Sequence, residues 1–128
     1  MKRLTIAALL VSVAMATGCG ADTRDSLATE QKKAMDEFAT TLDGVKDAET
    51  ARAAKPKLQA LATRMDDINT RESKLPPATE AETKALIEKH GKDLEGTMMK
   101  MQGAMMRIML NPAIQAELKD VDFGKVGR

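Results

Sequence analysis

Apolar residues recur at three- and four-residue spacing along most of this chain, and the alternating pattern of strands is missing. The residues between them are mostly Ala, Leu, Met, Glu, Lys and Gln, which favour helix. Glycine ends helices, and proline interrupts or starts them. Such breaks fall at three places, namely Asp43-Gly44, Pro76-Pro77 and Asn111-Pro112. The pattern therefore predicts an all-α fold of three main helices with short extra helical segments.

Two main helices and one short helix are expected before Pro76. Asp25 or Ser26 offers the capping side chain of the first helix, and Asp47 that of the next. Pro56 lacks an amide hydrogen and disfavours helical angles at Lys55. We therefore expect a short helix over residues 48–54, a break at 54–56 and a longer helix that starts at Pro56. The apolar positions expected in these helices are Leu27, Ala34, Phe38, Thr41 and Val45, then Leu58, Leu61, Met65, Ile68 and Leu75.

The third main helix is predicted to start at a capping box of Thr79 and Glu82 and to run to Leu110. One seam of this helix is expected to face the other two. Its positions are Ile87, His90, Leu94, Thr97, Met101, Ala104 and Ile108, widened by Met98, Met105 and Met109. Helices of this kind bury their seams only against each other. The predicted fold is a small antiparallel three-helix bundle with short extra helical segments.

Asn111 caps the predicted short helix over residues 112–119, with Pro112 at its first position. An apolar edge of this helix is expected to fold over the end of the bundle, and it comprises Ile114, Leu118 and Val121. The predicted bundle domain therefore spans residues 26–121. Residues 122–128 are expected to be a frayed tail.

The first nineteen residues have a different character. Lys2 and Arg3 precede a run of 13 residues without charge, Leu4 to Ala16, which is followed by the only cysteine of the chain, Cys19. A helix of that length reaches only about 20 Å, whereas the core of a bilayer is about 30 Å thick. This layout predicts a cleaved export signal over residues 1–18 rather than a membrane-spanning helix.

Ala16-Thr17-Gly18-Cys19 resembles the lipobox of bacterial lipoprotein precursors of the signal peptidase II class, although that family most often has leucine in place of Ala16. The resemblance extends to short helical envelope lipoproteins of bacteria. It implies cleavage between Gly18 and Cys19, a diacylglyceryl group on Cys19 and an acylated amine. Two or three acyl chains anchor a protein firmly. Gly20 after the cysteine, instead of aspartate, implies the outer membrane rather than the inner one.

An ordinary signal peptidase offers the alternative, because Ala14-Met15-Ala16 is an A-x-A site. Cleavage there would release a protein that begins at Thr17 and carries an unpaired thiol into an oxidising compartment. A lone cysteine directly after a hydrophobic signal is better explained by lipidation. Residues 19–25 then form a lipidated cysteine and a short tether that reaches at most about 20 Å from the membrane.

The charge balance excludes a nucleic-acid partner. Lys2 and Arg3 are two of the 20 basic residues, so 18 remain after cleavage, against 19 acidic residues. These charges are scattered rather than gathered in a basic stripe, and the chain has no Trp or Tyr for base stacking. No residue after Cys19 is available for a disulfide.

Six methionines fall within twelve residues of the third predicted helix: Met98, Met99, Met101, Met105, Met106 and Met109. Soft thioethers suit Cu(I), and Ag(I) has the same preference. The candidate metal ligands are Met98, Met101, Met105 and Met109, with His90 two to three turns upstream. Methionine is also a flexible filler of cores and a pliable partner-binding residue, so packing is the competing interpretation.

No catalytic constellation is found. His90 is the sole histidine, and a partly buried, hydrogen-bonded role is the commoner one for such a residue. A non-covalent haem between His90 and Met35 or Met65 is an alternative, whereas the C-x-x-C-H motif for covalent haem is missing. The serines lack a histidine partner, and Asp66-Asp67 is typical of a solvated helix face.

The sequence therefore predicts a membrane-anchored envelope lipoprotein that is not an enzyme. Its role is expected to be structural or to consist in binding an envelope protein, with the lipid on Cys19 as the only attached group. The alternative function is that of a methionine-rich binding module, for Cu(I) or Ag(I) first and an apolar small molecule second.

Overall fold

The computed structural model describes residues 21–126, which form four α-helices and one short 3-10 helix. The elements are α1 (Arg24–Asp43), α2 (Ala48–Ser73), α3 (Glu80–Met109), α4 (Pro112–Leu118) and the 3-10 helix (Phe123–Lys125). Between residues 21 and 126 there is no strand, so the all-α prediction is confirmed. The predicted signal peptide and Cys19 lie outside the described residues.

Each α-helix begins at a side chain that accepts a hydrogen bond from a free backbone amide. Asp47, Thr79 and Asn111 are the N-caps of α2, α3 and α4, as predicted. The N-cap of α1 is Thr23, so the prediction of Asp25 or Ser26 is wrong. Ser26 is instead the partner in a capping box, in which its amide donates to Thr23 Oγ1 over 3.1 Å and its hydroxyl accepts from the Thr23 amide.

The predicted break at residues 54–56 is wrong, because α2 is continuous through Pro56. Ala51 and Leu58, two turns apart on either side of the proline, are both fully buried. A break would move one of them out of the core, and this burial offsets the hydrogen bond that proline cannot make. Pro56 itself is exposed, so the unpaired carbonyl of Arg52 lies on the side of the helix that water reaches.

Helix α1 packs against both α2 and α3, whereas no Cα atom of α2 lies within 8 Å of one in α3. Arg71 near the end of α2 pairs with Glu30 near the start of α1, so these two helices are antiparallel. Arg107 at the end of α3 pairs with Asp43 at the end of α1, so α3 is parallel to α1. Helix α4 packs against both α2 and α3 at one end. This packing is consistent with a helical bundle.

The last described residues are packed, so the prediction of a frayed tail is wrong for residues 122–126. Phe123 meets Phe38 of α1 edge to face, with ring centroids 6.0 Å apart. Val126 is buried in the same core as Val121 and Leu118. Phe38 and Phe123 are the only aromatic residues of the chain, and their contact supplies the burial that holds this segment in place.

The seam of α3 is narrower than predicted. Thr97, Ala104 and Ile108 are buried as expected. Met98 is 55% exposed and Met109 is 70% exposed, so neither widens the buried seam. The physical reason is the arrangement of the helices: no Cα atom of α2 lies within 8 Å of one in α3, so α2 does not cover these two methionines.

Candidate functional site

A groove along α3 is lined by three of the four methionines that were predicted as metal ligands, namely Met98, Met101 and Met105. It is lined by Gly91, Leu94, Glu95, Met98, Met99, Met101, Gln102 and Met105. We call this the methionine groove. Its lining is mainly apolar, with Glu95 as the one charged residue and Gln102 as the one amide. The sequence placed these methionines on one broad helical face, and the structure leaves that face open to solvent.

Met98, Met101 and Met105 share one side of α3. At 100° per residue, the three positions fall within an arc of about 60°. Residues three or four apart on a helix have Cβ atoms about 5–6 Å apart, so Met101 is a near neighbour of both Met98 and Met105. Met101 and Met105 also pack against the hydrophobic core, whereas Met98 is turned outward. The three flexible side chains line one groove, with Met101 between the other two along the helix.

The other two predicted metal ligands lie elsewhere. Met109 lies one turn beyond Met105, is largely exposed and does not line the groove. His90 lies eight residues before Met98, which is about 12 Å along the helix axis. Its side chain is only 12% exposed, and Nε2 lies 3.5 Å from Asp25 Oδ1 without a hydrogen bond of good geometry. The structure therefore separates His90 and Met109 from the thioether cluster.

Met35 and Met65, the alternative partners of His90 in a haem site, are buried in the hydrophobic core. Both act as packing residues there, surrounded by leucine, isoleucine and alanine side chains of α1 and α2. The methionines between residues 21 and 126 therefore divide into two groups, one inside the core and one along α3.

The opposite flank of α3 is charged and attached to α1. Lys89 Nζ lies 2.8 Å from Asp25 Oδ2, and Arg107 donates to Asp43 over 3.1 Å. The hydrogen bond from Lys89 lowers the pKa of Asp25, and that from Arg107 lowers the pKa of Asp43. Between them, the Thr97 hydroxyl donates to Asp36. These contacts fix the orientation of α3 on α1.

A second polar cluster holds the beginning of the described chain. Arg71 of α2 donates to Asp22 over 2.5 Å and to Glu30 over 3.1 Å. These hydrogen bonds lower the pKa of both carboxyl groups and raise the pKa of the guanidinium. Sequence reasoning missed this cluster, since its members are 49 and 41 residues from Arg71 and no local pattern pairs them.

Among residues 21–126, no group of three or more His, Cys, Asp and Glu side chains is placed to hold a metal ion. No helix of this part of the chain is long and apolar enough to cross a membrane. Comparison with protein-family models, with curated proteins and with solved structures gives no significant match.

Proposed function

We propose that this protein is a membrane-anchored lipoprotein of the bacterial cell envelope, with a structural or protein-binding role and no catalytic activity. The observation that carries the proposal is the order of residues 1–19: two basic residues, a charge-free run, and small residues that end at the single Cys19. Lipid attachment gives this cysteine a purpose that a free thiol in an exported protein would lack.

The start of the helical body supports this arrangement. Asp22 is held by Arg71, so only Gly20 and Ala21 separate the proposed lipid-bearing residue from a fastened one. Three residue steps span at most about 11 Å of extended chain. A body joined by so short a connection would stay close to the membrane surface, with α1 directed away from its anchor point.

The body is proposed to act as an antiparallel three-helix bundle in which α1 lies between α2 and α3. Its open side supports a protein-binding role, because large apolar side chains are seldom exposed in such number on one helix. The exposed ones are Ile87, Met98, Met99, Met106, Met109 and Leu110. The envelope partner would be a protein, since the chain carries no basic stripe for a nucleic acid.

The proposal is tested by metabolic labelling of the full chain with radioactive palmitate, followed by membrane fractionation. The wild-type protein is expected to carry label and to sediment with the outer membrane. Cys19→Ser should abolish the label, because no other residue offers a thiol. Thr17→Ala is the matched control, since it keeps a small residue in the lipobox and should leave labelling intact.

Two results would contradict the proposal. One is label that persists in Cys19→Ser. The other is a mature wild-type protein that begins at Thr17 and stays soluble, as cleavage after Ala14-Met15-Ala16 requires.

A further inference from the structure

The exposed methionines of α3 are not explained as core filler. Met65 shows what a packing methionine looks like in this chain, with 1% of its surface exposed. Met98 is more than half exposed, yet it adjoins two thioethers on the same side of the helix. Leucine has the same helix propensity and would fill a surface position as well as methionine does. At the exposed position of Met98, what methionine adds over leucine is a sulfur atom.

Thioether sulfur is a soft, neutral ligand, and it selects soft metal ions such as Cu(I) over hard ions such as Mg²⁺ or Ca²⁺. We propose that Met98, Met101 and Met105 form a binding site for a soft monovalent cation, Cu(I) or its chemical analogue Ag(I). The proposal goes beyond the lipoprotein function and does not depend on lipid attachment to Cys19.

The arrangement of the three residues suits one ion. Met101 and Met105 rest on the hydrophobic core, which limits the freedom of their side chains before an ion arrives. Met98 is one turn from Met101 and two turns from Met105, is outside the core, and has rotatable bonds that would let its sulfur complete a three-sulfur set. Glu95 lines the same groove and places a negative charge near a ligand set that has none of its own.

Competing sites for harder ions are missing from this surface. The described part of the chain has no cluster of three His, Cys and carboxylate side chains, and His90 is not among the residues that line the methionine groove. A divalent ion such as Zn²⁺, which prefers nitrogen, thiolate and oxygen ligands, would find only thioethers and one carboxylate here. The site is therefore expected to take Ag(I) or Cu(I) and to leave Zn²⁺ unbound.

The test is a calorimetric titration of the full chain in detergent with Ag(I), which needs no reductant. Cys19→Ser serves as the background, so that the only thiol does not take the ion. One Ag(I) per chain is expected. The triple variant Met98→Leu, Met101→Leu, Met105→Leu should lose this binding, and Met101→Leu alone should weaken it at least tenfold. The control carries Met106→Leu and Met109→Leu, which lie outside the groove lining, and should bind as the background does.

A second measurement keeps the outcome clear if a variant folds poorly. This measurement is an NMR titration of the Cys19→Ser protein, with all its methionines present and their methyl groups labelled with 13C. Ag(I) should shift the resonances of Met98, Met101 and Met105 and leave those of Met106 and Met109 in place. The proposal would be overturned by a lack of uptake, or by an equal loss of binding in the triple variant and in the control variant. Shifts spread over all exposed methionines would also overturn it. The proposal would also be overturned if the triple variant kept its Ag(I) uptake but no longer captured an envelope protein in a pull-down. The methionine groove would then be a protein-binding surface.

Discussion

Single residues decide how the three long helices are joined, and Arg71 is the clearest case. Its guanidinium contacts Asp22 ahead of α1 and Glu30 within it. The pKa of each carboxyl group is lowered, so each binds its proton less readily in the folded protein than in the unfolded chain. Such a group stabilises the fold above its unfolded pKa, and this stabilisation is lost as the pH falls through the folded pKa.

Replacing Arg71 with Gln should therefore lower the Tm by a few degrees at pH 7 and by less at acid pH. The ordinary pKa values of Asp22 and Glu30 are 3.8 and 4.5, so in the wild-type protein this contribution should begin to decrease near these values and decrease further as the pH falls through the lowered pKa of each group. Thermal unfolding followed by circular dichroism at pH 7 and pH 3 measures both effects. Arg64→Gln is the control. Arg64 is on the same helix as Arg71, and it makes a single ion pair, with Glu37 of α1, at the longer distance of 3.9 Å. An equal Tm decrease at both pH values would contradict the prediction.

At the scale of elements, capping residues were predictable and the effect of Pro56 was not. The helix starts at Thr79 and Asn111 were predictable because the capping interaction involves residues within one turn of the chain. Proline in a helix interior is a local signal for a break, yet Ala51 and Leu58 hold both halves of α2 on the core. The burial is a tertiary effect and is invisible to local propensity.

Pro56→Ala should accordingly raise the free energy of unfolding by about 2 kcal/mol, since it restores an amide that donates to the carbonyl of Arg52. The figure allows for the greater freedom that alanine gives the unfolded chain. Urea unfolding measures the change, and Gln59→Ala, at an exposed position of the same helix, should change it by less than about 0.5 kcal/mol. A stability that is unchanged or lower would mean that α2 breaks at the proline.

At the scale of the whole molecule, the arrangement of α2 and α3 on two sides of α1 leaves one side of α3 uncovered. The same arrangement leaves an end of the core to be closed by α4 and the residues after it. Phe123 packs on Phe38 there, and Val126 is buried beside it. The last turn of the described chain is therefore part of the domain.

Phe123→Ala should lower the free energy of unfolding by about 2–3 kcal/mol, less than for a fully buried aromatic ring because Phe123 is partly exposed. Chemical unfolding of the full chain gives the value. Lys57→Ala, at an exposed position of α2, is the control and should stay within about 0.5 kcal/mol of wild type. If the Phe123 variant were as stable as the control, the tail would be frayed after all.

The sequence by itself determined the helical class, three of the four N-caps and the end of α1 at Asp43, because each depends on residues a few positions apart. It also carries the whole argument for lipid attachment at Cys19, which lies outside the described residues. Only the tertiary structure decided which methionines are core and which are surface. Met65 and Met98 each lie three or four residues from other apolar residues of their helix, so the local pattern does not distinguish them. Their exposure differs, 1% against 55%, because Met65 is covered by the core and Met98 is not. That depends on contacts between distant segments, such as Arg71 with Glu30, which no local pattern specifies.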